Sequence, residues 1–195
     1  MIDMTQTKQD FLNLYKATIQ RPGCSEFLAW LESTDFFSAP ASTKYHEAYP
    51  GGLCEHSLAV YKKFRRLNEM SPEKYRLSDE SVALCALLHD VCKCNVYVAS
   101  TRNVKNEATG MWEKVPFYLF NDSFPMGHGE KSVFLITQYM TLSPVEAMAI
   151  RWHMGAFDDS VRGGSRSLGN AYEMFPAALN LHIADMQATY QKEWN

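Results

Sequence analysis

The chain contains the stretch Ala83-Leu84-Cys85-Ala86-Leu87-Leu88-His89-Asp90-Val91-Cys92-Lys93, an apolar helical run that ends abruptly on an imidazole and a carboxylate. Buried polar groups must be paired or neutralised. A divalent cation would pair with both groups, because it takes neutral imidazole nitrogen and carboxylate oxygen as ligands. The alternative is a helix C-terminus at which His89 caps carbonyls and Asp90 binds a backbone amide. Further ligands elsewhere in the chain would favour the metal.

Composition places the chain among ordinary globular proteins. Its 195 residues are 46% hydrophobic and 21% charged, which is enough for one domain with a sizeable core. With a net charge of −3, the protein has no overall positive electrostatic field, so binding to long nucleic acid is not favoured. No apolar run approaches the ~18–20 residues of a membrane span, and the polar N-terminus is no signal sequence. We therefore expect a cytoplasmic protein.

Five cysteines are an odd number, and they suggest neither a disulfide framework nor a zinc finger. Cys85, Cys92 and Cys94 form a local cluster, but there is no second pair at zinc-finger spacing. Reduced, buried thiols are therefore favoured over disulfides and over a cysteine metal site.

Helix start signals are clear at three places. Gly51-Gly52 opens a long helix that carries His56 in its first turns. Ser78-Asp79-Glu80 is typical of an N-cap with acidic first-turn residues, and it begins the helix that ends at His89. Ser143-Pro144-Val145-Glu146 is a capping box with proline at the first helical position, and its helix ends at His153.

Two segments differ from this helical pattern. The segments 95–102 and 111–120 are rich in Val, Tyr, Thr, Trp and Phe, and they predict a β-hairpin. The glycine-containing segment 158–169 predicts a loop, and a last helix from about Ala171 to Trp194 carries His182 and Asp185. The expected fold is an all-α helical bundle with a small β-hairpin insertion.

The histidines are distributed in a way that points to a metal site. A single histidine on an apolar face is more often a hydrogen-bonded core residue than a ligand. Metal sites in helical bundles, however, are built by one or two inward residues from each of several facing helices. All six histidines lie near helix ends, in a loop before a helix or on an apolar face, each on a different element: His46, His56, His89, His128, His153 and His182.

The order of these residues carries a resemblance to a known family. His56, then His89-Asp90, then Asp185 give an H…HD…D pattern, extended by Lys93 as HD-x-x-K. This pattern resembles the HD-domain metal-dependent phosphohydrolases, most closely the stand-alone bacterial or phage HD hydrolases and the HD half of a bacterial 3′→5′ exoribonuclease. Those proteins share a similar motif before the first histidine of the pattern. In this chain the motif is Tyr45-His46-Glu47-Ala48-Tyr49-Pro50-Gly51-Gly52.

The resemblance also suggests how the chain is organised. It covers about residues 45–190, which would form the HD core of a single domain spanning 1–195. Residues 1–44 would be an N-terminal helical extension, and about 95–120 would be the inserted hairpin.

The family implies a metal centre. His56, His89, Asp90 and Asp185 would bind one divalent ion: Fe, Mn, Ni, Co or Zn, with Mg possible. In some subgroups two further histidines bind a second ion that shares Asp90, and His128 and His153 would take this role here. Alternatively, the site is mononuclear and these two histidines face substrate phosphate, or they only cap helices and bond in the core. A bound cation lowers the pKa of its water, so metal-bound hydroxide would be the nucleophile.

Four further residues and the hairpin are candidates for contact with substrate. Lys93 would bind phosphate, or it only complements the helix dipole. His182 lies three residues before Asp185 on the same helix face, so it would support that ligand or contact substrate. Arg162 and Arg166 would grip a phosphate, or they belong to a solvated basic loop. The aromatic hairpin would cover the site and stack a base, or it only shields the helices.

His46 is the remaining histidine, and it lies in the loop before Gly51-Gly52. It would donate a proton to the leaving oxygen or bind phosphate; otherwise it is merely exposed.

The resemblance therefore implies a metal-dependent phosphohydrolase that cleaves a phosphomonoester or phosphodiester, and we expect a small nucleotide as its substrate. Two other functions stay open. One is a diiron oxygenase of the HD type, which uses the same ligands. The other is a binding module that senses a nucleotide at its metal site without hydrolysing it.

Overall fold

The computed structural model describes residues 3–44 and 47–191. Within these residues the chain forms nine α-helices and one antiparallel pair of strands, which confirms the predicted all-α fold with a hairpin insertion. The helices are α1 (Met4–Thr18), α2 (Cys24–Ser33), α3 (Gly52–Met70), α4 (Asp79–Leu88), α5 (His128–Thr137), α6 (Pro144–Trp152), α7 (Asp159–Arg162), α8 (Ser167–Met174) and α9 (Pro176–Tyr190), and the strands are β1 (Tyr97–Lys105) and β2 (Trp112–Phe120).

Helix α4 lies at the centre of the bundle. All residues from Val82 to Leu88 are buried, because α4 packs against α1, α3 and α6 on different sides. A helix that is apolar all round is typical of such a position. Phe11 and Tyr15 of α1 and Phe27 of α2 belong to the same buried cluster, so the first two helices pack into the core and are not a separate layer.

The predicted helix caps are present. The Ser78 hydroxyl accepts a hydrogen bond from the Ser81 backbone N–H at the start of α4. The Ser143 side chain and Glu146 form the full capping box of α6. Gly51 precedes α3 with φ of +82°, a backbone conformation that favours glycine. These three caps set where the helices that carry His56, His89 and His153 begin.

The hairpin is longer than the sequence predicts. Tyr97 pairs with Phe120 and the register continues to Lys105 opposite Trp112, whereas the first strand was expected to end at residue 102. The reason is the turn. The Asn106 side chain accepts hydrogen bonds from the backbone of Ala108 and Thr109, which moves the reversal beyond Lys105. Polar residues before the turn stay in the strand because the hairpin is largely exposed.

The C-terminal prediction needs two corrections. Residues 158–169 are not only a loop, because α7 and the first turn of α8 lie there. The predicted last helix is divided between α8 and α9 at Pro176, which lacks a backbone N–H and disfavours helical backbone at Phe175. Trp194, the predicted helix end, lies outside the described residues. In the part of the chain that the structure describes, none of the helices has the length and apolar character that crossing a membrane requires.

Candidate metal centre

The candidate centre is built around Asp90, directly after the C-terminus of α4. His89 is the C-cap residue of α4, and both His89 and Asp90 are buried. A short 3-10 turn, Val91–Lys93, follows. The two carboxylate oxygens of Asp90 face different neighbours.

The Oδ2 atom of Asp90 faces His56 and His89, two of the other three residues in the predicted H…HD…D pattern. The His89 Nε2 atom lies 3.4 Å from this oxygen, and the His56 Nε2 atom lies 3.9 Å from it. His56 Nε2 is also 3.0 Å from the Asp185 Oδ1 atom, which α9 supplies. The structure thus brings His56, His89, Asp90 and Asp185 together from α3, α4 and α9.

The Oδ1 atom of Asp90 faces the other two predicted histidines. His128, the first residue of α5, places Nε2 2.7 Å from this oxygen, and His153, the C-cap of α6, places Nε2 3.5 Å from it. The His128 and His153 rings are 5.1 Å apart between centroids. Asp90 therefore has imidazole nitrogens near both carboxylate oxygens, and His153 also lies beside His89, with ring centroids 4.8 Å apart.

Two of these imidazoles have a ring orientation typical of metal ligands. His89 Nδ1 lies 2.7 Å from the Ala86 carbonyl, and His153 Nδ1 lies 2.6 Å from the Ile150 carbonyl. A carbonyl only accepts, so each Nδ1 donates and each Nε2 carries the lone pair. Among the described residues neither buried Nε2 has a hydrogen-bond partner. Since buried polar atoms are rarely left unsatisfied, cation binding at each of these two nitrogens beside Asp90 fits the site.

The spacing of the donor atoms supports the same conclusion. Two nitrogen or oxygen ligands of a tetrahedral cation, each about 2.1 Å from it, are about 3.4 Å apart. The His89–Asp90 and His153–Asp90 separations of 3.4 Å and 3.5 Å match this value and exceed an ordinary hydrogen bond. The His128–Asp90 contact of 2.7 Å is a hydrogen bond, so this pair would open slightly around an ion.

The electrostatics keep the carboxylates ionised. Burial raises the pKa of Asp90, but Lys93 and His89 outweigh it and hold the pKa well below its usual range. Burial likewise raises the pKa of Asp185, and the His56 contact outweighs it, so this pKa also falls. Burial lowers the pKa of His128, and the opposing Asp90 contact does not restore it. Charged carboxylates and a neutral imidazole are the protonation states in which these side chains bind metal ions.

Glu47 is part of the centre although no sequence pattern marked it. Its carboxylate is buried, and the Oε2 atom lies 3.6 Å from His56 Nδ1. Burial lowers the pKa of His56, but Asp185 and Glu47 outweigh burial and raise it to about 9. Glu47 has φ of +40°, and its carbonyl lies so close to Gly52 that a Cβ there would be 2.1 Å away. Carboxylates that hold the second nitrogen of a ligand histidine orient its ring.

Cys92 is a second residue that the sequence did not assign to the centre. Its Sγ atom lies 3.6 Å from both ring nitrogens of His128, and its backbone N–H donates to the Ser132 hydroxyl at 3.2 Å. Burial raises the pKa of the thiol to about 12, so the thiol keeps its proton unless a cation displaces it.

A cleft of about 630 Å³ leads to Asp90 and Asp185. Three of the predicted substrate residues line it: Lys93, whose Nζ atom lies 2.7 Å from Asp90 Oδ2, and Arg162 and His182. The aromatic side chains of Tyr97, Phe120, Phe157 and Tyr190 form other parts of its wall. His182 is held in place because its Nδ1 donates to the His153 carbonyl at 2.6 Å.

Two predicted substrate residues are not placed in this cleft. Arg166 is the N-cap residue of α8 and is not among the described residues that line the cleft. His46 lies outside the described residues, so its role as a proton donor stays a prediction.

Comparisons with known proteins identify the family. The family model described as HD domain matches residues 53–185, more than half of the chain. A dihydroneopterin 2′,3′-cyclic phosphate phosphodiesterase from Methanocaldococcus jannaschii is 36% identical over 62 residues, which are 31% of this chain and 25% of that protein. The match thus spans about a quarter of the relative's length. No solved structure matches the chain significantly. The family match includes His56, His89, Asp90 and Asp185, and the chain belongs to the HD-domain family.

Proposed function

We propose that the chain is a metal-dependent phosphohydrolase that cleaves a phosphomonoester or phosphodiester of a small nucleotide. The observation that carries the proposal is the position of Asp90, whose two oxygens each face buried imidazole nitrogens. His56, His89, Asp90 and Asp185 would hold one divalent ion. Asp90, His128 and His153 would hold a second.

The chemistry follows from this ligand set. When bound, divalent ions supply an activated water as the nucleophile and neutralise charge on the phosphoryl oxygens. Lys93 lies beside Asp90, where its ammonium group would bind a phosphoryl oxygen as well as the carboxylate. Arg162 and His182 line the same cleft and would orient the remaining phosphate oxygens or the ribose.

The size and lining of the cleft support a nucleotide-sized substrate. A volume of about 630 Å³ lies in the range typical of small-molecule sites. Its aromatic residues offer faces on which a base stacks, and Lys93 lies beside Asp90. The relative from Methanocaldococcus jannaschii is named for a cyclic phosphodiester, which supports a diester of similar size here. The net charge of −3 supports a small substrate over long nucleic acid.

A substrate panel tests the proposal. The purified protein, loaded separately with manganese, cobalt, zinc or iron, is assayed on p-nitrophenyl phosphate, bis-p-nitrophenyl phosphate and 2′,3′-cyclic nucleotides. We expect phosphate-ester cleavage that falls by about a thousandfold or more in Asp90→Asn, since loss of a charge-stabilising group costs about 10²–10³ and here metal is lost as well. Glu69→Gln, an exposed change in α3, is the matched control and keeps the activity.

Two results would contradict the proposal. A folded, metal-loaded protein that cleaves no member of the panel would favour a binding module. Oxygen-dependent turnover of an alcohol, with a mixed-valent iron signal, would favour an oxygenase on the same ligands.

A further inference from the structure

Arg151 lies in the last turn of α6, two residues before His153, and its guanidinium group joins α6 to two other helices. Its Nη1 atom donates to the Asp158 carboxylate at 2.8 Å, and its Nη2 atom forms an ion pair with Glu130 of α5. The side chain is only 14% exposed, and its guanidinium carbon lies 4.0 Å from the centroid of the Trp152 ring. A side chain that connects three elements in this way sets their relative positions.

The contact with α5 holds the two histidines that would bind the second ion. Glu130 lies in the first turn of α5, two residues after His128. The two helices also touch at backbone level, because a Cβ added at Gly129 would lie 2.2 Å from the Arg151 carbonyl oxygen. The ion pair between Arg151 and Glu130 joins the same two helix ends through their side chains. This contact therefore sets the position of His128 relative to His153.

The contact with Asp158 holds one wall of the cleft. Asp158 is buried and is the N-cap residue of α7. Phe157, directly before it, and Arg162, the last residue of α7, both line the cleft. Burial raises the pKa of Asp158, but Ser160 and Arg151 outweigh burial and lower it, so the carboxylate is ionised and pairs with the guanidinium. This contact therefore sets where Arg162 would meet a phosphate.

We propose that Arg151 is a positioning residue that holds the two histidines of the second ion on one side and Arg162 on the other. The inference rests on the proposed function and adds a residue that is not among the described residues lining the cleft. A planar guanidinium carries five N–H donors in a fixed fork, so it binds two carboxylates at once in defined directions. A lysine ammonium is a compact charge on a flexible stem and does not replace this geometry.

Variants that remove one contact at a time test the assignment. Two affinities are measured for each folded variant: that for the second cobalt, by chelator competition with a metal indicator, and that for inorganic phosphate, by calorimetry at saturating cobalt. The double variant His128→Ala/His153→Ala, which should bind one cobalt, identifies the second position.

The two contacts should give separate effects. Glu130→Gln should weaken binding of the second cobalt by about tenfold or more and leave the phosphate affinity unchanged, since partners that orient metal ligands contribute about 10–100-fold. Asp158→Asn still caps α7. It should weaken phosphate binding by about tenfold and leave the cobalt affinities unchanged, since a misplacement of about 1 Å costs up to about a hundredfold.

Arg151 itself should affect both affinities. Arg151→Met should weaken binding of both the second cobalt and phosphate, and Arg151→Lys, which keeps the positive charge, should do the same. Arg65→Met, an exposed change in α3, is the matched control and alters neither affinity. Affinity for the first cobalt should stay unchanged in all these variants, whereas a general loosening of the fold would lower it.

The outcomes separate this inference from the proposed function. Unchanged second-cobalt and phosphate affinities in folded Arg151→Met and Arg151→Lys overturn the inference even if phosphate esters are cleaved. Equal losses at both cobalt positions, or a wild type that binds only one cobalt or no phosphate, overturn it as well. The expected pattern in a protein that cleaves no phosphate ester supports the positioning role and overturns the proposed function.

Discussion

At the scale of single residues, Asp90 organises the centre because its two oxygens face different imidazoles. Oδ2 faces His56 and His89, and Oδ1 faces His128 and His153. A carboxylate in this position would bridge two ions, and its ionised form is secured by Lys93 in the absence of metal. The buried charge is thus already compensated before a cation binds, which is how such a site persists in a folded protein.

Glu47 gives a prediction at the same scale. Glu47→Gln should lower metal affinity at the Oδ2 side by about 10–100-fold, because its carboxylate orients the His56 ring that binds the ion. Chelator competition monitored by a metal indicator measures the change. Glu55→Gln is the matched control, since Glu55 precedes His56 in α3 but bonds Tyr49. Equal affinities for wild type and Glu47→Gln would remove Glu47 from this role.

At the scale of elements, an ion pair fixes α6, the helix that ends at His153. Arg21, in the connection between α1 and α2, donates two hydrogen bonds to Glu146, at 2.9 Å and 2.7 Å. Glu146 also accepts from the Ser143 backbone N–H in the capping box. Burial raises the pKa of Glu146, but Arg21 and Ser143 outweigh it and lower the pKa to about 2.

This ion pair predicts a pH-dependent stability. Glu146→Gln keeps the capping box but should reduce the free energy of unfolding by about 2–4 kcal/mol at pH 7, because Arg21 loses its buried partner. A folded pKa of about 2, below the usual 4.5, stabilises the fold above pH 4.5 and loses that contribution as the pH falls toward 2. The gap between wild type and Glu146→Gln should therefore narrow from pH 5 to pH 3, measured by urea unfolding.

The control for this comparison is Glu80→Gln. Glu80 is more exposed, and its Oε2 atom lies 3.4 Å from Arg21 Nη2. Glu80→Gln also keeps the Oε1 atom that accepts from the Gln20 and Arg21 backbone N–H groups, so it should destabilise the fold less. A gap between wild type and Glu146→Gln that is independent of pH would show that the charge of Glu146 is not what stabilises α6.

The short 3-10 segment Gly155–Phe157 positions His182. Gly155 has φ of +55°, and a Cβ there would lie 2.5 Å from the His182 ring. Gly155→Ala should therefore displace His182 and raise KM for the phosphate ester by about tenfold, roughly 1.4 kcal/mol of substrate binding. Gly164→Ala is the matched control, since Gly164 has φ of +97° but nothing within 4 Å of its Cβ position. Steady-state kinetics measure KM for both variants. Equal increases in KM would mean that backbone strain alone, and not displacement of His182, causes the effect.

At the scale of the whole molecule, we propose that 1–195 is one HD domain, with a core at 45–190, an extension at 1–44 and a hairpin inserted at about 95–120. The burial of Phe11, Tyr15 and Phe27 in the same cluster as α4 supports this organisation. The extension would then stabilise the helix that ends at the metal centre.

The sequence predicted residues on regular, capped helices well and residues in irregular turns poorly. His56, His89, Asp90 and Asp185 were predictable because their order and spacing follow helical elements with clear caps. The break at Pro176 was also visible in the sequence, because proline lacks a backbone N–H. The prediction of one continuous helix did not take this into account. Glu47 and Cys92 were not predictable, because a positive-φ loop and a 3-10 turn, neither of them periodic, bring them to the centre.

The central claim, that two ion positions share Asp90, is tested most directly by metal content per chain. Cobalt bound after equilibrium dialysis is measured for wild type, for the double variant His128→Ala/His153→Ala and for Asp90→Asn, with Glu69→Gln as the control. We expect two ions in wild type and control, one in the double variant and none in Asp90→Asn. Undiminished cobalt in Asp90→Asn, or two ions in the double variant, would contradict the claim.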